Sequence, residues 1–218
     1  MKKLKYEICL FDLDGTLTDS QEGIINSVKN ALSHFGITAK EPTELRKFIG
    51  PPLKESFSKI YGFSEEETLT AIVKYREYFA ETGIFENKVY EGIPELLKKL
   101  REEGKTLGVA TSKPEVFAKR ILEKFEIMEY FEFIAGSELD GARSRKSEVI
   151  NYALDNLDPL RSKVCVMIGD REHDVIGAKE AGVQSVGVAY GYGSYNELKS
   201  AGAKTIADSV EDLFLKLT

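Results

Sequence analysis

The sequence has few of the residues that build cross-linked or zinc-binding proteins. Its 218 residues include two cysteines, two histidines and no tryptophan. Cys9 and Cys165 each lie inside an apolar run, which predicts buried thiols and neither a disulfide nor a metal pair. No apolar run is long enough to span a membrane, and the run after the basic Met1-Lys2-Lys3 is broken by Glu7, which predicts no signal peptide. We therefore expect a cytoplasmic protein.

Basic residues are outnumbered by acidic ones. The chain has 30 Lys and Arg residues against 36 Asp and Glu, which gives a net charge of −6. This balance argues against a nucleic-acid polymer as a partner, because phosphate backbones are bound by Lys and Arg. It is compatible with a small phosphate ester, since a bound metal can reverse the local sign of the charge. We expect such a small-molecule ligand, no membrane partner, and a monomer or homodimer.

From residue 87 onward, strand-like segments alternate with helical ones, which is typical of a parallel sheet covered on both faces. Between residues 18 and 86 only helical patterns occur. The sequence therefore predicts an α/β fold, a Rossmann-like doubly wound sheet formed by 1–17 and 87–218, with a small all-helical domain formed by 18–86. The predicted strands are Tyr6–Leu10, Thr106–Ala110, Phe131–Ala135, Val164–Ile168 and Ser185–Ala189.

The helical insertion carries two candidate capping boxes. In Asp19–Glu22 and in Ser64–Glu67 a capping residue is followed three positions later by Glu. The helix predicted after Ser64 has Leu69 and Val73 among its apolar positions.

Two pairs of carboxylates follow predicted strands. Asp12 and Asp14 come after the first strand, two positions apart, so both leave the strand end on one side. Asp170 and Asp174 come after a later apolar strand. In such sheets ligands bind beyond the carboxyl ends of the strands. Acids held this close repel one another unless a cation lies between them, and oxygen ligands favour Mg²⁺.

These residues resemble two motifs of the haloacid dehalogenase (HAD) superfamily. Phe11–Thr18 is similar to motif I, DxDxT, and Gly169–Asp174 is similar to motif IV, GDxxxD. The resemblance implies that Asp12 attacks phosphorus and that Asp14 is the general acid and base. It also implies a Mg²⁺ site made by Asp12, Asp170 and the main-chain carbonyl of Asp14. Asp174 would bind the metal or orient its ligands.

The remaining two family motifs are less specific. Thr111 follows an apolar strand, as the Thr or Ser of motif II does, and the hydroxyls of Thr111 and Ser112 could bind a phosphoryl oxygen. The alternative for Thr111 is a helix N-cap. Lys146 matches the motif III lysine, which would offset charge on Asp12, and Arg145 is the second candidate.

The insertion resembles the C1 cap of the HAD branch that includes phosphoglycolate phosphatases, 5′-nucleotidases and β-phosphoglucomutases. The segment Arg46–Leu53 is similar to the substrate-facing loop of phosphoglycolate phosphatases. On that resemblance Arg46, Gly50 and Lys54 contact the substrate, whereas the alternative for both cations is a solvated helix face.

The resemblance implies a Mg²⁺-dependent phosphomonoesterase that works through an aspartyl-phosphate, phosphoglycolate phosphatase-like. A 5′-nucleotidase and a β-phosphoglucomutase are the alternatives, and a non-catalytic HAD-fold protein is disfavoured because no motif residue is missing. Dehalogenases and phosphonatases lack the second acid of motif I, which argues against both. His173 is assigned no catalytic role, because the chemistry of the superfamily needs no histidine.

Overall fold

The computed structural model describes residues 5–39 and 41–218. The chain divides into two compact units, one formed by residues up to Thr18 together with Val89–Thr218, the other by Asp19–Lys88. The sequence placed the two boundaries after residues 17 and 86, one and two positions earlier. Met1-Lys2-Lys3, on which the prediction about a signal peptide partly rests, lies outside the described residues.

The larger unit is built on a six-stranded parallel sheet. A further short pair of strands lies where the chain passes between the two units. The strands are β1 (Ile8–Phe11), β2 (Thr18–Asp19), β3 (Lys88–Val89), β4 (Thr106–Pro114), β5 (Phe133–Ser137), β6 (Cys165–Gly169), β7 (Gln184–Val188) and β8 (Thr205–Ala207). The order in the large sheet is β5-β4-β1-β6-β7-β8, and β2 pairs with β3.

Helices connect the strands of the large sheet and make up most of the smaller unit. They are α1 (Gln21–His34), α2 (Pro42–Leu45), α3 (Leu53–Tyr61), α4 (Glu65–Tyr78), α5 (Ile93–Glu102), α6 (Glu115–Lys124), α7 (Lys146–Leu157), α8 (Glu172–Glu180), α9 (Tyr195–Ala201) and α10 (Val210–Leu217). Two 3₁₀ turns, Arg46–Phe48 and Met128–Tyr130, and a π turn, Phe79–Gly83, complete the regular structure.

Strand β1 is the centre of the sheet, and its position creates the site. All four of its residues are buried, as expected for an apolar run covered on both faces. Ile8 pairs with Thr106 of β4 on one side and with Cys165 of β6 on the other. The chain builds outward to β5 on the first side and to β8 on the second. The strand order therefore reverses at β1, where ligands bind in this class of sheet. The predicted Rossmann-like fold is confirmed.

Some elements differ from the prediction. Strand β8 and helix α9 were not predicted, because three edge residues and a seven-residue helix give too short a periodic pattern. Strand β4 continues beyond its predicted end at Ala110 as far as Pro114, with an irregular register in between. The predicted motif II residues therefore lie within an irregular strand end and not in a loop.

The smaller unit packs around aromatic side chains. The rings of Phe57 and Phe63 are parallel, with centroids 5.9 Å apart, and Phe48 meets Phe57 edge-on at 4.9 Å. Helix α4 leaves Leu69 and Val73 more than half exposed. Its buried positions are Thr68, Ala71 and Tyr75, so the predicted helix is confirmed, but two of its predicted apolar positions, Leu69 and Val73, lie on the exposed face.

The two predicted capping boxes have different outcomes. Ser64 and Glu67 form one, which confirms that prediction. The box predicted over Asp19–Glu22 is wrong. Ser20 is the N-cap of α1, but its side chain makes no capping bond, because the N–H of Gly23 donates to the carbonyl of Glu86 at 3.0 Å.

Within residues 5–39 and 41–218, no helix combines the length and the apolar character that crossing a bilayer requires.

Both thiols are expected to be inert in the folded protein. Cys9 and Cys165 are buried and unpaired, and burial raises the pKa of each thiol to about 12. The reactive thiolate is therefore scarce at neutral pH.

A colorimetric thiol reagent should label neither cysteine in buffer and both in guanidinium chloride. Rapid labelling of the native protein would contradict the buried placement.

Candidate active site

Three carboxylates converge where β1 and β6 end. Asp12 follows β1, and its N–H donates to the carbonyl of Ile168 in β6 at 2.8 Å, which ties the two strand ends together. Asp170 follows β6, and Asp174 lies in the first turn of α8. One oxygen from each carboxylate lies within 4.8 Å of the others, and the residues are at most 5% exposed. The structure therefore assembles three of the four predicted metal ligands through their side chains.

Lys146 is the cation of this cluster. It is the first residue of α7, and its Nζ lies 2.9 Å from Oδ1 of Asp12 and 2.8 Å from Oδ1 of Asp174. It also donates to the carbonyl of Ala110 at 3.1 Å. Burial alone would lower the pKa of Lys146, but the charges of Asp12 and Asp174 outweigh burial and raise it. Lys146 therefore stays charged inside the protein.

Arg145, the second candidate for this position, lies elsewhere. Its guanidinium is exposed and pairs with Glu180 at 3.4 Å. The structure thus brings Lys146, and not Arg145, to the carboxylates. His173 is partly exposed in the first turn of α8 and has no described contact with the cluster.

One positive charge does not balance three buried acids. Burial raises the pKa of Asp170 well above its usual value, and the charges of Asp174 and Asp12 raise it further. The pKa of Asp174 is also raised, mainly by burial, although Lys146 opposes the shift. Three free carboxylates are therefore unfavourable in this cluster, and either a proton or an added cation lowers that cost.

Asp14 belongs to a second ion pair. Its Oδ2 lies 2.9 Å from Nζ of Lys113, and both side chains are almost fully buried. Gly15, with φ of +83°, turns the chain directly after Asp14. The carboxylate of Asp14 therefore faces Lys113 and is not part of the three-acid cluster. The role of Asp14 as acid and base stays a prediction.

Lys113 is the residue that sequence reasoning missed. The sequence analysis assigned it no role, because a single lysine in a sequence is usually a solvated surface residue. The feature of the sequence that could have identified Lys113 is its position at the carboxyl end of a central strand, two residues after Thr111. The extension of β4 beyond Ala110 carries this side chain into the site.

The two motif II hydroxyls lie in this strand extension. Thr111 is 2% exposed, and its Oγ1 accepts a hydrogen bond from the N–H of Lys113 at 3.3 Å. The N-cap of α6 is Pro114, so the alternative reading of Thr111 as a helix cap is wrong. Ser112 uses its carbonyl to accept a hydrogen bond from Oγ of Ser137 at 2.9 Å.

The three predicted substrate contacts of the helical insertion are in the smaller unit. Arg46 is exposed in a 3₁₀ turn, and Gly50 has φ of +101° just before α3. Lys54 is exposed and pairs with Glu65 at 2.9 Å. A role for these residues toward a substrate stays a prediction.

The chemistry of the donor set fits a hard divalent cation. Oδ1 of Asp14 and Oδ1 of Asp170 are buried and have no hydrogen-bond partner among the described residues. Buried carboxylate oxygens without partners are costly, and a cation that prefers oxygen ligands removes that cost. Asp12, Asp170 and Asp174 are the side chains positioned to provide such ligands.

A doubly wound sheet with this acid cluster beyond its central strands is the arrangement that the resemblance to HAD-type hydrolases predicts. The model of the haloacid dehalogenase-like hydrolase family matches residues 9–188, and the chain belongs to that family. A 5′-nucleotidase from Pseudomonas aeruginosa is 50% identical over 90% of this chain and 89% of its own. The tyrosine-protein kinase PtkA from Mycobacterium tuberculosis is 42% identical over 95% of this chain and 71% of its own.

Solved structures agree with this assignment. A crystal structure described as a predicted phosphatase from Clostridium acetobutylicum is 54% identical, covers 97% of each chain and superposes with a TM-score of 0.93. With the family, these similarities identify the protein as a phosphatase.

Removing Lys146 should destabilise the fold when no metal is present. Lys146→Met leaves buried carboxylates without their cation, so we expect the free energy of unfolding to fall by about 3 kcal/mol in EDTA. Urea unfolding measures the difference. Arg145→Met is the matched control, because Arg145 directly precedes Lys146 but is exposed. Its free energy of unfolding should equal that of wild type. Equal stability of both variants would show that Lys146 does not balance the cluster.

Proposed function

We propose that this phosphatase is a Mg²⁺-dependent phosphomonoester hydrolase that acts on a small phosphorylated metabolite through an aspartyl-phosphate. The observation that carries the proposal is the buried cluster of Asp12, Asp170 and Asp174, in which Lys146 pairs with Asp12 and Asp174, together with the Asp14–Lys113 pair. A nucleophile, an acid and base, and a place for a cation are then present together at the carboxyl end of β1.

Mg²⁺ would be held by the carboxylates of Asp12, Asp170 and Asp174 and by the main-chain carbonyl of Asp14. When bound, it would neutralise negative charge on the phosphoryl oxygens. The protein supports this role by leaving carboxylate oxygens buried and unpaired.

Asp12 is the proposed nucleophile. One carboxylate oxygen of Asp12 attacks phosphorus, a phosphorus–oxygen bond forms, and the bond to the leaving alcohol breaks. Asp14 gives a proton to the departing oxygen. Asp14 then takes a proton from a water molecule that attacks the same phosphorus, which releases phosphate and restores Asp12. Lys146 and Thr111 stabilise charge on the phosphoryl oxygens in both steps.

Nucleoside 5′-monophosphates are the first substrate candidates. The support is the 50% identity to a protein named 5′-nucleotidase over most of both chains. Phosphoglycolate, which the Arg46–Leu53 segment favours by resemblance, is the second candidate. Cap residues Arg46, Gly50 and Lys54 would then contact the part of the ester that is not transferred.

Two phosphoryl-transfer functions remain as alternatives. A β-phosphoglucomutase would keep both Asp12 and Asp14, but its cap carries an arginine after the loop glycine, whereas Pro51 and Pro52 follow Gly50 here. The similarity to a protein named a tyrosine kinase favours testing transfer from ATP to tyrosine as well. Hydrolysis without transfer to an added acceptor would separate the proposed function from both.

Phosphate release across a panel of esters tests the proposal. The panel contains nucleoside 5′-monophosphates, 2-phosphoglycolate, sugar phosphates and an aryl phosphate, each with Mg²⁺ and with EDTA. We expect Mg²⁺-dependent release with the highest kcat/KM for a nucleoside monophosphate. Release that is unaffected by EDTA, or no release from any ester, would contradict the proposal.

Asp12→Asn tests the nucleophile. The amide cannot form the acyl phosphate, so turnover should fall by at least about a thousandfold. Asp155→Asn, which changes an exposed acid of α7, is the control and should keep wild-type turnover. Turnover of Asp12→Asn close to that of wild type would rule out the assigned role.

Lys113 is expected to matter for phosphoryl transfer although no motif singled it out. Its buried cation beside Asp14 can stabilise negative charge of the phosphoryl group, so Lys113→Met should lower kcat/KM by about 10- to 1,000-fold. Lys119→Met, which removes a partly exposed lysine of α6, is the matched control. Steady-state kinetics of the two variants tests this prediction, and equal kcat/KM values would show that Lys113 does not contribute to phosphoryl transfer.

We further propose a cytoplasmic enzyme, a monomer or homodimer, with no nucleic-acid polymer and no membrane as partner. Two unpaired buried cysteines are typical of a reducing compartment. The net charge of −6 supports a small anionic ligand handled through a metal rather than a basic binding surface.

A further inference from the structure

The segment after β7 lies against Asp170. We refer to residues 189–197, which include Tyr190-Gly191-Tyr192-Gly193 and the start of α9, as the 189–197 segment. The N–H of Tyr192 donates to Oδ2 of Asp170 at 2.8 Å. Oδ1 of Asp170 has no partner among the described residues. One oxygen of Asp170 is thus fixed by the protein, and the other is left for a cation.

The contact between this segment and Asp170 leaves no room for a side chain. A Cβ at Gly193 would lie 1.8 Å from the carbonyl oxygen of Asp170, and a Cβ at Gly191 would lie 2.4 Å from Cβ of Asp170 and 2.3 Å from the carbonyl oxygen of Gly15. These neighbours are backbone atoms or the base of the Asp170 side chain, so they cannot rotate away. Any larger residue has to displace Asp170 or the turn at Gly15.

The backbone conformation at Gly191 and Gly193 does not require glycine. Neither is among the glycines with positive φ, so their backbone conformations are open to alanine. Gly202, also a glycine of this region, has φ of +104° and nothing within 4 Å of an added Cβ. Alanine at Gly193 therefore introduces a collision without backbone strain, and alanine at Gly202 introduces strain without a collision.

Further bonds hold the segment in place. The hydroxyl of Tyr190 donates to the carbonyl of Thr16, in the motif I turn, at 3.1 Å. Oε1 of Glu197 accepts from Nε of Arg171 at 2.7 Å and from the N–H of Glu172 at 3.1 Å. The segment is thus bonded to both turns that carry the acids.

We propose that the 189–197 segment is a positioning element for the cation site. It sets the affinity for Mg²⁺ by fixing Asp170 through the N–H of Tyr192 and the close approach of Gly191 and Gly193. Glu197 supports it by holding the turn that follows Asp170. The proposal rests on the proposed function, since it concerns the cation of that same site.

The test is calorimetric titration of Mg²⁺ alone into wild type, Gly193→Ala, Gly191→Ala and the control Gly202→Ala. Mutation of a group that orients a metal ligand typically lowers the affinity for the metal by 10- to 100-fold. We expect the Kd for Mg²⁺ to rise about tenfold or more in the first two variants and to stay near wild type in the control. The Mg²⁺ concentration that gives half-maximal hydrolysis should rise in parallel, with kcat recovering at high Mg²⁺.

A wild-type Kd in folded Gly193→Ala and Gly191→Ala would overturn the proposal. Should both alanine variants fail to fold, Glu197→Gln decides, because the amide keeps the shape but weakens the bond to Arg171. A raised Kd in that variant supports the proposal, and an unchanged Kd overturns it. Failure of the proposed function has a different result, since wild type itself would then neither bind Mg²⁺ nor release phosphate.

Discussion

The central constraint in this protein is the repulsion among carboxylates buried at the end of its central strands. Asp12, Asp170 and Asp174 are almost completely removed from water, where each charged form is costly. Lys146 reduces the cost for Asp12 and Asp174 through ion pairs shorter than 3 Å. It does not contact Asp170, whose pKa burial and neighbouring charge keep well above its usual value. The three acids therefore outnumber the cation that lies among them, and an added cation would lower the cost of burying them.

The fold concentrates these buried charges at one place, the carboxyl ends of β1 and β6. Because the strand order reverses at β1, the loops after β1 and β6 leave the sheet side by side, and the amino end of α7 brings Lys146 to them. The strands themselves are apolar and buried, so they provide a rigid base with no competing polar groups. Charge repulsion that would disrupt a flexible loop is thus resisted by the packed sheet.

Each carboxylate of the site is held by a different polar group. Asp174 accepts from the N–H of Arg171, Asp170 from the N–H of Tyr192, and Asp14 pairs with Lys113. A group that is held by one oxygen presents the other in a defined direction, which is how supporting contacts tune metal sites. The structure therefore divides the acids into a three-acid cluster and a separate Asp14–Lys113 pair, and the proposed function assigns metal binding to the first and proton transfer to the second.

Much of this arrangement was predictable because it depends on local patterns. Apolar runs followed by Asp predicted the positions of Asp12 and Asp170, and alternation of strands and helices predicted the sheet that joins them. Lys113 was missed because its burial depends on an irregular extension of β4 that periodicity does not reveal. The exposed face of α4 was misjudged at Leu69 and Val73, since helical spacing predicts a helix but tertiary packing decides which face is buried. Strand β8 was too short to give a pattern.

The measurement that tests the central claim most directly is the free energy of unfolding of wild type and Asp170→Asn as a function of Mg²⁺ concentration. If the buried acids require an added cation, wild-type stability must rise by about 1.4 kcal/mol for each tenfold increase in Mg²⁺ above its Kd. The increase should be absent or much smaller in Asp170→Asn, which removes the charge but not the volume of that side chain. Wild-type stability that does not change with Mg²⁺, or the same increase in both proteins, would contradict the account.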